Sequence, residues 1–248
     1  MAGMNSNRIC FCESAHFGPA VQKTGVPSHE ANALKEYSGK RFCKFFEYDA
    51  EHGILLMEHI RPGTPLRAEP DIEKRLSVFL SLYDGLHITP QDPSIYPTYM
   101  QWVSKIAAYM RGRSDYPKLC AHMQKAEALC LRLHKAYNRR MLLHGDFHHD
   151  NILLDHTGAY RIIDPKGVVG DPLFDLPRFI LNEEGICEEI LRIMDYFARV
   201  LHIPGEVIRQ CYYIEAAMAQ CWCVESNETP DLEAVRLAER IILYCQSR

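Results

Sequence analysis

The sequence predicts an α+β protein in which a small β-rich segment precedes a larger, mostly helical one. Three observations carry this expectation. Before about residue 60, short apolar stretches alternate with turn residues. Beyond it, apolar side chains recur at helical spacing over long stretches. Between the two, Arg61-Pro62-Gly63-Thr64-Pro65 is a turn-rich break suited to a hinge. The expected division is therefore residues 1–60 and 61–248.

The elements follow in order. Arg8 to Ala15 and Ala20 to Lys23 read as strands around a His16-Phe17-Gly18-Pro19 turn. Ser28 to Tyr37 reads as a short helix with Ser28 as its N-cap. Phe42 to Tyr48 and Gly53 to Glu58 read as two further strands. Helices are then expected around Leu76, Phe79, Leu80 and Tyr83, around Tyr99, Trp102, Val103 and Ile106, and around Leu119, Met123, Ala126, Leu129 and Leu133. Asn151 to Asp155 and Tyr160 to Ile163 form a hairpin around His156-Thr157-Gly158. Pro172 to Ile180 begins another helix, with Asp171 placed to cap it, and three more helical patterns run from Ile186 to Cys245.

Composition narrows the functional classes. The chain has 248 residues, is 47% hydrophobic and 24% charged, and carries a formal net charge of -4. This suits an ordinary globular core and gives no basic footprint for nucleic acid. No apolar run approaches the roughly 20 residues that span a bilayer, and Met1 to Asn7 lack a signal-peptide core. The ten cysteines are scattered, and Cys10/Cys12 and Cys221/Cys223 lack the two-residue spacer of a zinc or redox pair. Reduced thiols and a cytoplasmic location are expected.

The densest chemistry lies in His144-Gly145-Asp146-Phe147-His148-His149-Asp150-Asn151. Asp146 follows a strand and a glycine, so its carboxylate can project from a loop. Asn151 opens the next strand, and Asp164 ends the strand paired with it. Asn151 and Asp164 would thus meet at the open end of the hairpin. Oxygen ligands of this kind suit Mg²⁺, which takes one or two protein oxygens beside phosphate and water. A carboxylate left off the metal can orient a hydroxyl and accept its proton. Phosphoryl transfer requires little beyond such positioning and charge neutralisation. His144, His148, His149, Asp150 and His156 alternatively offer zinc ligands for a metallohydrolase, although that leaves Asp164 without a role.

These residues resemble the H-G-D-x-x-x-x-N catalytic loop of the aminoglycoside phosphotransferase family. Ile163-Asp164-Pro165-Lys166-Gly167-Val168-Val169-Gly170-Asp171-Pro172, with Asp175-Leu176, resembles its streptomycin 6-phosphotransferase and hydroxyurea-resistance kinase branch. The resemblance implies a protein-kinase-like fold of two lobes and ATP-dependent transfer of phosphate to a small-molecule hydroxyl. It implies Asp146 as catalytic base, Asn151 and Asp164 as Mg²⁺ ligands, and Lys23 as the contact to the ATP phosphates with Glu30 as its ion-pair partner. Leu56 to Ile60 resembles the adenine-contacting hinge, with backbone groups near Glu58 and Ile60 pairing with the base. His144 is expected to brace the loop, His148 and His149 to act as spacers, and the role of Lys166 is open. A solvated surface pair is the alternative for Lys23 and Glu30.

The sequence departs from the family pattern at its start. Only seven residues precede Arg8, the expected V-L-K reads Val21-Gln22-Lys23, and Lys23 and Glu30 stand only seven apart. A shortened N-lobe follows, with a catalytically impaired pseudokinase or nucleotide-binding module as the alternative function. An open strand edge in such a lobe would favour a homodimer. A cationic aminoglycoside would suit Glu183, Glu184, Glu188, Glu189, Asp195, Glu215 and Glu225 on the later helices.

Overall fold

The computed structural model describes residues 8–39, 41–183 and 185–243. The chain forms two compact units, Met1–Pro97 with Arg140–Val169, and Thr98–Arg139 with Gly170–Arg248. This cut differs from the 1–60 and 61–248 division expected from the turn-rich break. Within the first unit, the Phe42–Ile162 bridge and the Tyr37–Leu142 hydrogen bond join the two sides of residue 60.

That unit opens with β1 (Arg8–Ser14), β2 (Gly18–Thr24), α1 (Ser28–Tyr37), β3 (Phe45–Asp49) and β4 (Ile54–Glu58). The strands form one sheet in the order β1-β2-β4-β3. All its pairs are antiparallel, with Lys23 opposite Leu55 in the β2–β4 register. Helix α1 has the expected span, but Pro27 rather than Ser28 is its N-cap. Proline fixes the extended entry to the first turn, so Ser28 is already helical. Its hydroxyl instead lies 3.4 Å from that of Tyr48. The first residues expected in β3 take another path: Phe42 bridges to Ile162, and the Cys43 N–H donates to the Ile162 carbonyl at 3.0 Å.

The supposed hinge also contains a strand, β5 (Pro62–Pro65). It pairs with β7 (Ile152–Asp155), which pairs in turn with β8 (Tyr160–Ile162). Between β5 and this hairpin come α2 (Ile72–Tyr83), capped by the Asp71 carboxylate, and β6 (Met141–Leu143), which pairs with β9 (Val168–Gly170). Phe79 of α2 packs on Phe147 with ring centroids 4.8 Å apart, and both rings are fully buried. Each such side chain contributes about 1.5–3 kcal/mol through burial. Tyr37 at the end of α1 donates from its buried hydroxyl to the Leu142 carbonyl at 2.5 Å.

The second unit is helical: α3 (Tyr99–Arg111), α4 (Pro117–Ala136), α5 (Leu176–Leu181), α6 (Cys187–Leu201), α7 (Gly205–Glu225) and α8 (Leu232–Leu243). Thr98 and Gln101 form a reciprocal capping box at the start of α3. The helix expected from Pro172 begins as a 3-10 turn over Pro172–Asp175, with the Leu173 N–H bonded to the Asp171 carboxylate at 3.1 Å. The last turn of the C-terminal pattern, to Cys245, lies outside the described residues, as do Met1 to Asn7. Within this unit Tyr99 stacks on Phe174 at 4.2 Å, and Trp102 meets Trp222 edge-on at 6.1 Å.

Two features hold the hairpin and the segment after it in place. Asp155 accepts hydrogen bonds from the Thr157 N–H and hydroxyl, the Ala159 N–H and the Arg161 guanidinium, at 2.6–3.0 Å. The Thr157 hydroxyl leads a set of donors that outweighs burial and holds the Asp155 carboxyl well below the usual carboxylate range. Gly167 has φ +62°, and a Cβ there would lie 2.4 Å from the His29 carbonyl oxygen of α1. Helix α1 can therefore approach this segment only because residue 167 has no side chain.

Asp155→Asn is expected to lower stability by about 2 kcal/mol at neutral pH, read as a shift in the urea midpoint. A depressed carboxyl stabilises the fold above the ordinary aspartate range, and that stabilisation fades as pH falls toward the depressed value. The variant should therefore lose stability less steeply than the parent below about pH 5. Gly167→Ala is expected to cost about 2–4 kcal/mol in the same measurement, since it adds both backbone strain and a clash with α1.

Candidate active site

The site is built around the loop that leaves β6. His144 is fully buried, and both of its ring nitrogens are engaged. Nε2 donates to the Ile163 carbonyl at 2.9 Å, while Nδ1 accepts the Asp146 N–H at 3.1 Å. One donor and one acceptor define a neutral imidazole. The His144 carbonyl also accepts the Lys166 N–H at 2.7 Å. His144 thereby ties the Asp146 loop to the chain on either side of Asp164. This agrees with the bracing role expected of it, and leaves neither ring nitrogen for zinc.

Asn151 is held from both directions. Its side-chain NH₂ donates to the Asp146 carbonyl at 2.9 Å, and its own carbonyl accepts the Ile163 N–H at 2.9 Å. Since Ile152 faces Ile162 across the β7–β8 hairpin, Asn151 and Asp164 flank the same open end. The Asn151 side-chain oxygen accepts no hydrogen bond from the described residues.

Asp164 sits at φ 59°, a left-handed conformation uncommon outside glycine. Both its carboxylate oxygens face ammonium groups. Lys23 pairs with Oδ1, and Lys166 lies 3.0 Å from Oδ2. Glu30 stands 3.7 Å from the Lys23 ammonium and 3.6 Å from that of Lys166, completing a square of alternating charge. Lys23 and Glu30 are thus not a solvated surface pair, because the Lys23 side chain is 4% exposed. Burial works to raise the Asp164 carboxyl, but Lys166 and Lys23 outweigh it and hold it below its ordinary value. For Lys166, burial is outweighed by Asp164 and Glu30, which keep the ammonium protonated above the usual lysine range. Burial leaves the Glu30 carboxyl raised despite both lysines.

Two site residues escaped the sequence reading. Lys166 had no assigned role, yet it is a member of the square. His148 was expected to be a spacer, but its Nε2 lies 3.5 Å from the Asp146 carboxylate, and its Nδ1 accepts the Asp150 N–H at 3.3 Å. Asp150 is in turn gripped by the Arg67 guanidinium through bonds of 2.9–3.1 Å. The spacing of His148 two residues after Asp146 was the signal available.

Glu58 and Ile60 lie apart from the square. They border a cleft of about 420 Å³ with Phe17, Phe42, Phe46 and Arg61, whose walls do not include Lys23, Asn151 or Asp164. The Glu58 carboxylate is occupied by the Lys44 N–H at 2.9 Å, and the Glu58 N–H is bonded to the Lys44 carbonyl. The Ile60 N–H makes no hydrogen bond with the described residues.

The acidic residues of the later helices are largely committed or solvated. Glu215 is buried against Arg178 and accepts from the Tyr99 hydroxyl at 3.1 Å. Glu189 caps α6 through the Ile186 N–H at 3.0 Å. Glu188 and Asp195 are exposed, Glu183 is buried, Glu225 is half-buried, and Glu184 lies outside the described residues.

The donor set can be tested against the metals considered. Among the described residues no group of three or more His, Cys, Asp or Glu side chains converges on a metal position. That is unsuited to the all-protein shell of a zinc site. One carboxylate and one amide oxygen match the sparse protein coordination typical of Mg²⁺. Among the described residues no helix is long and apolar enough to cross a membrane.

The chain is similar to known proteins in sequence and in fold. The streptomycin 6-kinase of Streptomyces griseus is 24% identical over 164 residues, covering 63% of this chain and 53% of that protein. The hydroxyurea phosphotransferase of Kitasatospora aureofaciens is 26% identical over 177 residues, covering 66% of this chain and 50% of that protein. The chain thus spans about half the length of these relatives. Among solved structures, the choline kinase LicA from Streptococcus pneumoniae superposes with a TM-score of 0.65 at 17% identity, covering 100% of this chain and 92% of that one. The fold is accordingly protein-kinase-like, with a small N-terminal sheet and a helical C-terminal part. The family model described as aminoglycoside/hydroxyurea antibiotic resistance kinase matches residues 14–226, most of the chain, and the protein belongs to that family.

Proposed function

We propose that this protein transfers the γ-phosphoryl group of ATP to a hydroxyl of a small molecule. The observation that carries the reading is the convergence on one short stretch of backbone. Asp146 and Asn151 leave the same loop, and His144 fastens that loop to the strand end bearing Asp164.

The roles follow from chemistry. Asp146 projects from the loop with its side chain 26% exposed, and it would orient the acceptor hydroxyl and take its proton. His148, 3.5 Å away, supplies polar support on one side of that carboxylate. Asn151 and Asp164 would hold Mg²⁺, with one neutral and one anionic oxygen. Bound there, the ion would neutralise charge on the phosphates. Lys23 contributes positive charge toward the nucleotide phosphates, with Asp164 as its hydrogen-bonded partner and Glu30 3.7 Å away. For the adenine ring, the Ile60 N–H, unpaired among the described residues, and the backbone of Glu58 are the groups we assign.

The acceptor class is a small polyhydroxylated molecule. Cationic aminoglycosides of the streptomycin type come first, because a curated relative carries that activity in its name. Glu215 and Glu189 give such a cation little support, since both are engaged within their own unit.

ADP release should be followed with Mg-ATP across a panel of aminoglycosides and other small alcohols. At least one acceptor is expected to turn over, and Asp146→Ala is expected to reduce kcat by about 10²–10⁴-fold. A well-folded wild-type protein inactive on every acceptor would overturn the reading. Undiminished turnover in the Asp146→Ala protein would remove Asp146 from its role.

A further inference from the structure

The square of charge contains one position that its own members do not fill. Glu30 Oε2 is buried and has no hydrogen-bond partner among the described residues, although two ammonium groups stand just beyond reach at 3.7 and 3.6 Å. Both lysines lean instead toward Asp164. A buried carboxylate oxygen left without a hydrogen bond is costly, so this is a seat prepared for a cation that currently sits elsewhere.

Which lysine can move is decided by location. Lys23 is fixed within the β2 strand, and its side chain is 4% exposed. Lys166 lies on the segment after β8, and its side chain is 24% exposed. Its ammonium is 3.0 Å from Asp164 and 3.6 Å from Glu30, so the transfer requires only a small swing of a flexible stem.

We propose that Lys166 is a positioning residue acting as an exchangeable counter-ion, resident on Asp164 and handed to Glu30 when a divalent cation takes Asp164. The inference rests on the assignment of Asp164 as a metal ligand made above. Lys166 opposes a metal ion that arrives alone, because it must be displaced and because two positive charges would then crowd one carboxylate. Glu30 relieves that opposition by accepting the displaced ammonium. The device sets how readily the site takes a metal, independently of the transfer step.

The test is Mn²⁺ binding, read from the free-ion electron paramagnetic resonance signal without nucleotide and then with AMP-PNP. Lys166→Met is expected to bind Mn²⁺ alone about tenfold more tightly than the wild type, since the competing charge is gone. Lys166→Arg keeps the charge and should stay close to the wild type. Glu30→Gln should weaken Mn²⁺ binding strongly when Lys166 is present and much less in the Lys166→Met background, a coupling that simple loss of charge does not produce. Equal Mn²⁺ affinity in the wild type, Lys166→Met and Lys166→Arg proteins would overturn the exchange. So would additive effects of Glu30→Gln and Lys166→Met, measured in variants whose circular dichroism matches the wild type. Failure of the underlying metal assignment has a different signature: Asp164→Asn would then leave Mn²⁺ binding unchanged with and without AMP-PNP.

Discussion

The site depends on one buried, neutral imidazole. His144 donates a hydrogen bond to the Ile163 carbonyl and accepts one from the Asp146 N–H, so its two nitrogens work in opposite senses. A protonated ring would present a second N–H to the Asp146 N–H and break the loop from inside. Aromatic walls protect the neutral form, with Phe147 and Phe42 centred 5.3 and 6.1 Å from the ring. Through this ring, residues 146 and 163 are fixed to each other although they belong to different strand connections. The backbone at Asp146 and the backbone just before Asp164 are thus held together through the His144 ring.

Much of this was legible in the sequence, for reasons visible in particular residues. The span of α1 and the β7–β8 hairpin follow from local periodicity and turn chemistry, which few tertiary contacts override. The grouping of Asn151 with Asp164 followed from the hairpin alone. What the sequence concealed was long-range. Pro62–Pro65 reads as a break because proline and glycine dominate it, yet it pairs with β7 once that strand is beside it. The N-cap of α1 went to Pro27 because a proline-fixed φ sets the entry as firmly as a serine hydroxyl. His148 was expected to be a spacer because the sequence does not show the loop conformation around it. The chain enters a 3-10 turn at His149, with His148 as its N-cap and its ring beside the Asp146 carboxylate.

Lys166 was the hardest residue to place from sequence. It lies two residues beyond Asp164, a distance at which an extended chain would point both side chains the same way but toward an unknown face. The left-handed backbone at Asp164 and the positive φ at Gly167 bend this segment against α1. The bend brings Glu30 within reach. Gly167 and Glu30 therefore answer one requirement: the helix must come close enough for its carboxylate to see the ammonium of Lys166. A larger side chain at 167 would hold α1 off and leave that carboxylate facing Lys23 alone.

The charge balance of the square explains why so many ionised groups can be packed together. Two carboxylates and two ammonium groups sum to zero, and each carboxylate has cations on two sides. Desolvation on this scale is tolerable only when pairing is complete, and here it is complete at Asp164 and incomplete at Glu30. The imbalance lies within the square rather than in its total. A fold selected for stability alone would share the lysines evenly, one to each carboxylate. Concentrating both on Asp164 instead screens the one carboxylate that the proposed chemistry needs exposed, and keeps a second, buried carboxylate in reserve to receive what is displaced. The arrangement keeps a buried acceptor beside the carboxylate that the proposed metal would take, so an ammonium displaced from Asp164 would stay within the protein instead of being lost to water.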